Sequence, residues 1–139
     1  MKIKFSSLII VAILCSCSNE DDTVTKATLE GDWKLVQMSG SIPDSETTGS
    51  DMEWQESYRF FEDGNFLKSR ETEGSVVELT GTYSFNEDPR SLELTYGEES
   101  EIIGSCQSDL KENLFFSSND VLSSTWNQCD GPSLDYEKI

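Results

Sequence analysis

Apolar and polar residues alternate with a period of two along most of the chain beyond residue 28. Within residues 76–85, for example, Val77, Leu79 and Tyr83 fall on one face, whereas Glu78 falls on the other. This period is typical of strands with one buried face, and no stretch sustains the longer period of an amphipathic helix. The pattern therefore predicts an all-β fold.

Turn residues divide the pattern into about eight predicted strands. Asp63-Gly64 is the strongest hairpin signal, residues 39–53 form a predicted loop, and Gly81 suggests a bend or bulge within its strand. The predicted strands cover residues 28–36, 54–61, 66–71, 76–85, 92–96, 101–106, 114–117 and 134–139. Turns at such short intervals favour one antiparallel meander closed into a barrel.

The hairpin around Asp63-Gly64 has two possible registers. It carries three basic residues: Arg59, Lys68 and Arg70. A two-residue turn pairs Phe61 with Phe66 and puts all three cations on their side, whereas a three-residue turn with a glycine bulge pairs Phe60 with Phe66. The second register places Lys68 and Arg70 on the Phe60 face, toward the barrel interior.

The first residues are typical of an export signal. A positive start is followed by an apolar segment too short to span a bilayer, and then by Leu14-Cys15-Ser16-Cys17. These four residues resemble the lipobox of bacterial lipoproteins, which implies cleavage before Cys17 and lipidation of its sulfur. We therefore expect a signal peptide over residues 1–16 and a membrane anchor at Cys17 alone.

Residues 17–27 are polar and lack a period, as in a flexible acidic tether. The acidic residues just after Cys17 resemble the signal that sends some lipoproteins to the outer face of the outer membrane; the alternative is its periplasmic face. Asp22-Thr23-Val24 resembles an O-glycosylation triplet, which makes Thr23 a candidate for modification. Residues 28–139 are then the folded domain.

The composition limits the partners and the chemistry. The formal charge is −17, with 27 acidic and 10 basic residues, so the chain should repel nucleic acid. It has no histidine, which removes the commonest general base and most nucleophile-activating pairs. No spacing among the carboxylates points to glycoside or calcium chemistry. The chain is predicted to have no enzymatic activity and no cofactor.

The cysteines fit an oxidising compartment. With Cys15 removed and Cys17 lipidated, Cys106 and Cys129 remain, and in the cell envelope they are expected to form a disulfide. Two thiolates without further nitrogen or sulfur ligands would make a poor zinc site, so no metal is expected.

Four further segments resemble the lipocalin-like domains of small bacterial envelope lipoproteins. They are Leu29-x-Gly31-x-Trp33, Tyr58-x-Phe60-x-x-Asp63-Gly64-x-Phe66, Gly81-Thr82-Tyr83-Ser84-Phe85 and Tyr136-Glu137-Lys138-Ile139. The resemblance implies a lipocalin-like barrel whose closed end is plugged by Trp33, with Gly31 beside it. The chain departs from the family because it lacks the Thr-Asp-Tyr motif and the helix after the last strand, and because it is short.

Two functions follow from this interpretation. In the first, the barrel binds a small apolar or amphipathic ligand, which can be an anion. Aromatic side chains are expected to contact the ligand's apolar tail, and solvated cations are expected to contact its anionic head group. The candidate ligand-binding residues are Tyr58, Phe60, Phe66, Lys68, Arg70, Tyr83 and Tyr96. In the second, the barrel is filled by its own side chains, and the exposed face binds a protein partner or supports a surface assembly.

Overall fold

The computed structural model describes residues 26–107 and 109–139. A short helix, α1, precedes the strands, and two 3-10 turns lie at Gly49–Asp51 and Trp126–Cys129. The elements are α1 (Lys26–Leu29), β1 (Gly31–Ser39), β2 (Thr47–Thr48), β3 (Gln55–Phe60), β4 (Asn65–Thr72), β5 (Ser75–Glu87), β6 (Arg90–Tyr96), β7 (Lys111–Ser118), β8 (Val121–Ser124) and β9 (Ser133–Lys138).

The strands form a closed antiparallel barrel. β1 and β3 to β9 pair in chain order, and the pairing of β9 with β1 closes the barrel. The two-residue strand β2 adds to β1 beside its end, outside the ring of eight. The predicted all-β meander is confirmed, and the architecture is consistent with a lipocalin-like fold.

The β3–β4 hairpin adopts the bulged register. Phe60 pairs with Phe66, the amide of Phe61 donates to the carbonyl of Asn65 at 3.0 Å, and Gly64 has a φ of +85°. Glycine reaches this left-handed region without the steric cost that a side chain would add. Lys68 and Arg70 therefore share the inward face of β4 with Phe66, and both are buried.

Two strand predictions are wrong. Residues 101–106 were predicted to be a strand but form part of a loop. The segment contains apolar residues because Ile102 packs into the core, where it is 2% exposed. The eighth strand of the barrel is instead β8. It was predicted to be part of a loop because the segment is rich in serine. Ser123 is buried there because its hydroxyl donates to Asp135.

Gly81 lies where β5 changes partners. Residues 75–82 of β5 pair with β4, and residues 81–87 pair with β6, without a register shift in either ladder. The predicted bulge is therefore absent from these two ladders. A Cβ atom at Gly81 would lie 2.8 Å from Cε1 of Phe66 and also clash with the carbonyl of Thr95, so the position needs glycine for close packing.

The barrel has two different ends. At the end we call the Trp33 end, Leu29, the last residue of α1, is fully buried and accepts a hydrogen bond from Trp33. At the opposite end, the loop end, lie the connections 40–54, 97–110 and 125–132 together with the β4–β5 turn. The disulfide between Cys106 and Cys129 joins two of these loops and confirms the predicted pair.

The predicted signal peptide, Cys17, Thr23 and most of the predicted tether lie outside the described residues. In the part of the chain that is described, no helix has the length and apolar character that crossing a membrane requires.

Candidate functional site

The barrel interior contains a group of polar side chains that we call the interior polar cluster. Each member lies on the inward face of a strand, at every second position, so the alternation that builds the strands also buries these groups. The cluster consists of Glu56, Tyr58, Lys68, Arg70, Tyr96, Glu112 and Tyr136.

Lys68 lies between the two glutamates of the cluster. Its Nζ is 3.0 Å from Oε2 of Glu112 and 3.2 Å from Oε1 of Glu56, and all three side chains are fully buried. The ammonium also lies 5.0 Å from the ring centroid of Tyr58. Burying a charge is costly unless it is paired and hydrogen-bonded, and both conditions are met here.

Arg70 holds a second position nearer the loop end. Its Nε donates to Oε2 of Glu56, and its Nη2 donates to the carbonyl of Ile102 at 3.2 Å. The guanidinium lies 4.2 Å from the ring centroid of Trp54. The expectation that Arg70 is a solvated cation is wrong, because it is only 7% exposed.

Three tyrosine hydroxyls complete the bonding of the glutamates. Tyr58 donates to Glu112 at 2.9 Å, Tyr96 donates to the other oxygen of Glu112, and Tyr136 donates to Glu56 at 2.6 Å. Burial, reinforced by the neighbouring glutamates, raises the pKa of all three phenols well above the ordinary value. The three tyrosines therefore act as donors at neutral pH.

The cluster is balanced in formal charge. Two glutamates face one lysine and one arginine, and each cation contacts at least one carboxylate. An incoming anion would have to displace a glutamate from Lys68 or Arg70 and leave that carboxylate without its partner. The arrangement can hold the barrel in one packing, but it offers no vacant cationic position among the described side chains.

The remaining predicted ligand-binding residues lie toward the Trp33 end. Phe60 packs edge-on against Tyr83 with ring centroids 5.2 Å apart, and Phe66 packs edge-on against Tyr96 at 5.0 Å. Tyr83 donates its hydroxyl to the carbonyl of Phe61 at 2.7 Å. Burial, followed by Glu30 and Asp63, raises its pKa. The structure thus brings all seven predicted residues to the barrel wall or interior.

These side chains contact one another. Tyr58, Phe60, Phe66, Lys68 and Tyr96 are each at most 2% exposed. A cavity wide enough for an amphipathic ligand would leave much more of their surface accessible, so no ligand-sized space lies against these five side chains. A depression of about 570 Å³ lies instead along the loop 97–110, lined by residues such as Glu99, Ile103 and Asp109.

Trp33 lies buried at the Trp33 end. Its Nε1 donates to the carbonyl of Leu29 at 2.8 Å, and its ring packs edge-on against Phe116. Gly31 has a φ of +117°, a conformation that other residues rarely adopt. The closing role assigned to both residues stays a prediction, and their positions are compatible with it.

Sequence reasoning missed Glu56, Glu112 and Tyr136. The available signal was the alternation itself: Glu56 lies two residues before Tyr58, on a face predicted to be inward. Glu112 lies two residues before Leu114 but outside the predicted strand 114–117, because β7 begins earlier, at Lys111. Neither acid was singled out, because glutamate is rarely buried without a partner. Their partners, Lys68 and Arg70, lie on another strand, in a register that the sequence left open.

Two further sources of evidence on function are the placement of metal-binding side chains and the similarity to known proteins. No group of three His, Cys, Asp or Glu side chains among residues 26–107 and 109–139 is placed to hold a metal ion. Comparison with protein-family models, with curated proteins and with solved structures gave no match for this chain. The assignment of function therefore depends on the barrel and its interior.

Proposed function

We propose that the protein is a non-catalytic envelope lipoprotein, anchored through Cys17, whose filled barrel is a rigid scaffold for binding a protein partner at its exposed surface. The anchor is proposed from the lipobox-like residues 14–17. The acidic residues after Cys17 support a position on the outer face of the outer membrane.

The observation that carries this proposal is the packed, charge-balanced interior. The side chains expected to contact a ligand instead bind one another, and Lys68 and Arg70 are paired with Glu112 and Glu56. A barrel of about eight strands is narrow enough to be filled by its own side chains. With the interior occupied, the outer surface is the part available for recognition.

Binding of a small amphipathic ligand is the competing function, and a displacement assay separates the two. We expect no saturable binding of a fluorescent fatty acid to the purified protein. Saturable binding that Arg70→Ala weakens by roughly tenfold to a hundredfold would instead assign the head-group site to Arg70 and contradict the filled-scaffold proposal.

Partner binding is tested in intact host cells with photo-crosslinking residues placed on the outer surface. Phe61, Val76 and Phe115 are exposed by 42%, 57% and 39%, and replacing them leaves the interior intact. We expect a discrete adduct from one face and none from the others. Absence of adducts from every face would contradict the proposal.

A further inference from the structure

β5 extends beyond the strand that follows it. Its pairing with β6 stops at Gly81, opposite Tyr96, whereas its pairing with β4 continues back to Ser75. Residues 75–79 therefore have a strand neighbour on one side only, within the described ranges 26–107 and 109–139. We call this segment the β5 edge.

The backbone direction identifies the groups left at the β5 edge. The carbonyl of Thr80 accepts from the amide of Gly97 at 3.2 Å, so the backbone of Thr80 points away from β4. In an antiparallel ladder, alternate residues direct both backbone groups to the same side. Val76 and Glu78 therefore also point away from β4, and no described strand pairs with them there.

The β5 edge lacks the usual protection against strand addition. Natural sheets shield an open edge with charged side chains, especially lysine, with proline or with a bulge. Ser75-Val76-Val77-Glu78-Leu79 has no lysine, proline or bulge, and Glu78 is its one charged residue. Val76 and Val77 are 57% and 38% exposed. An extended segment could thus gain both backbone hydrogen bonds and apolar contacts here.

Acidic residues outnumber basic ones around the β5 edge, where Lys34 lines the same depression as Val76 and Glu71. No lysine or arginine occurs in residues 71–79 or 97–107. Six exposed glutamates lie on the β4–β5 hairpin and on the loop that follows Gly97: Glu71, Glu73, Glu78, Glu98, Glu99 and Glu101. Charge complementarity favours a basic occupant.

We propose that the β5 edge binds an extended segment of a partner protein in which basic and apolar residues alternate, and which joins the sheet as an added strand. This inference rests on the proposed partner-binding function and names the surface and the partner's chemistry. A second copy of the chain would bring two acidic edges together. The chain's own Glu20-Asp21-Asp22 is acidic as well.

Hydrogen exchange of the full-length protein in detergent tests the first step. In the protein alone, the amides of Val76 and Glu78 should exchange at least roughly tenfold faster than those of Val77 and Leu79, which face β4. Equal protection of all four amides at low protein concentration would show that the chain covers its own edge. Protection that appears only with dimer formation would assign the edge to a second copy. Either result overturns the proposal.

The second step adds a synthetic peptide of alternating lysine and valine. It should slow exchange at Val76 and Glu78 by roughly tenfold or more, and a glutamate–valine peptide of the same pattern should not. Equal effects of the two peptides, or no effect of the basic one, would contradict the proposal.

Val76→Pro provides the matched variant. Proline removes the outward amide of Val76 and leaves the hydrogen bonds to β4 in place, so the melting temperature should change little. Binding of the basic peptide should weaken by roughly tenfold, whereas Val76→Thr, which keeps the amide, should weaken it by less than about threefold. Unchanged binding to a folded Val76→Pro protein would overturn the inference. If Val76→Pro unfolds the protein, Glu78→Lys replaces it and should also weaken binding.

Failure of this inference differs from failure of the proposed function. A protected β5 edge leaves a filled barrel that binds its partner through another face. A fatty acid bound saturably in the barrel removes the filled scaffold, whatever the exchange at Val76 shows.

Discussion

Glu112 is bound by three other side chains of the interior polar cluster. It accepts from Tyr58, Tyr96 and Lys68 and is fully buried. A buried pair adds little to stability by itself, since desolvation offsets the attraction. Removing one partner is different, because the remaining charge is left buried without compensation.

Glu112→Gln should therefore reduce the free energy of unfolding by about 3 to 5 kcal/mol. Glu93→Gln is the matched control, because Glu93 pairs with Lys111 on the surface, where the two side chains are 41% and 47% exposed. Its loss should be about 1 kcal/mol or less. Urea unfolding measures both values. Equal losses would mean that the interior cluster has no special energetic role.

The tyrosines give the protein a sensitivity to alkaline pH. In the folded protein the pKa of Tyr58, Tyr96 and Tyr136 lies well above the ordinary value of 10.0. The unfolded chain thus releases these protons first, so the contribution of the three tyrosines to stability should be constant below pH 10 and fall as the pH rises above it. Ultraviolet titration should show these phenols ionising together with unfolding. Independent ionisation in the folded state would contradict the account.

At the scale of the element, the alternation predicted most barrel strands because one face of each is apolar. It failed in two places, because a buried apolar residue can lie in a loop and a buried strand residue can be polar. Ile102 and Ile103 form an apolar pair in a loop and pack against the core. β8, in contrast, is a strand with two buried serines, and the hydroxyl of Ser123 donates to Asp135 on the neighbouring strand. Apolar content identified burial in the first case, and polar content concealed it in the second.

The interior polar cluster could be predicted only in part. Lys68 and Arg70 were placed inward by one of two hairpin registers, and the choice between them depends on the turn geometry at Gly64. Glu56 is the cross-strand partner of Arg70 within the same hairpin, so it follows from the register. Glu112 contacts Lys68 from β7, 44 residues away in the chain, and no local pattern indicates that contact. Tyr58 and Glu112 are 54 residues apart.

The first prediction at this scale concerns Gly81, where β5 changes from pairing with β4 to pairing with β6. Gly81→Ala should cost about 1 to 3 kcal/mol, because its Cβ would clash with Phe66 and Thr95. Gly97→Ala is the control, since its Cβ would meet its nearest neighbour, the oxygen of Thr80, at an ordinary 3.8 Å. Its change should stay within about 0.5 kcal/mol. Thermal unfolding compares the two, and similar losses would contradict the close packing at Gly81.

The disulfide is the second prediction at this scale. It closes a sequence separation of 23 residues and joins the loops 97–110 and 125–132. Cys106→Ser should lower stability by about 3 kcal/mol and the melting temperature by roughly 10 °C or more, with Cys129 becoming reactive to a thiol probe. Reaction of both native cysteines without reductant would show that the bond does not form.

At the scale of the whole molecule, the sequence led to a barrel but left its contents open. A filled barrel and a ligand-binding barrel share the same alternation, so the difference lies in whether inward polar groups bind one another. Here Glu56 and Glu112 neutralise the two inward cations. Under the proposed function, the molecule is a filled scaffold that recognises its partner through its outer surface.

The anchor belongs to this scale as well. Cys17→Ser should abolish labelling by radioactive palmitate and leave the signal peptide uncleaved, because the lipobox-like sequence requires the cysteine. Comparison with the unchanged protein in the same host checks both effects. Labelling that survived the substitution would contradict the lipoprotein assignment.

The most direct test of the filled scaffold is native mass spectrometry of the protein purified from its own host. The account predicts one species, whose mass equals the chain cleaved before Cys17 plus its lipid, with no retained small molecule. A small molecule that co-purifies in stoichiometric amount and is released on unfolding would contradict the account.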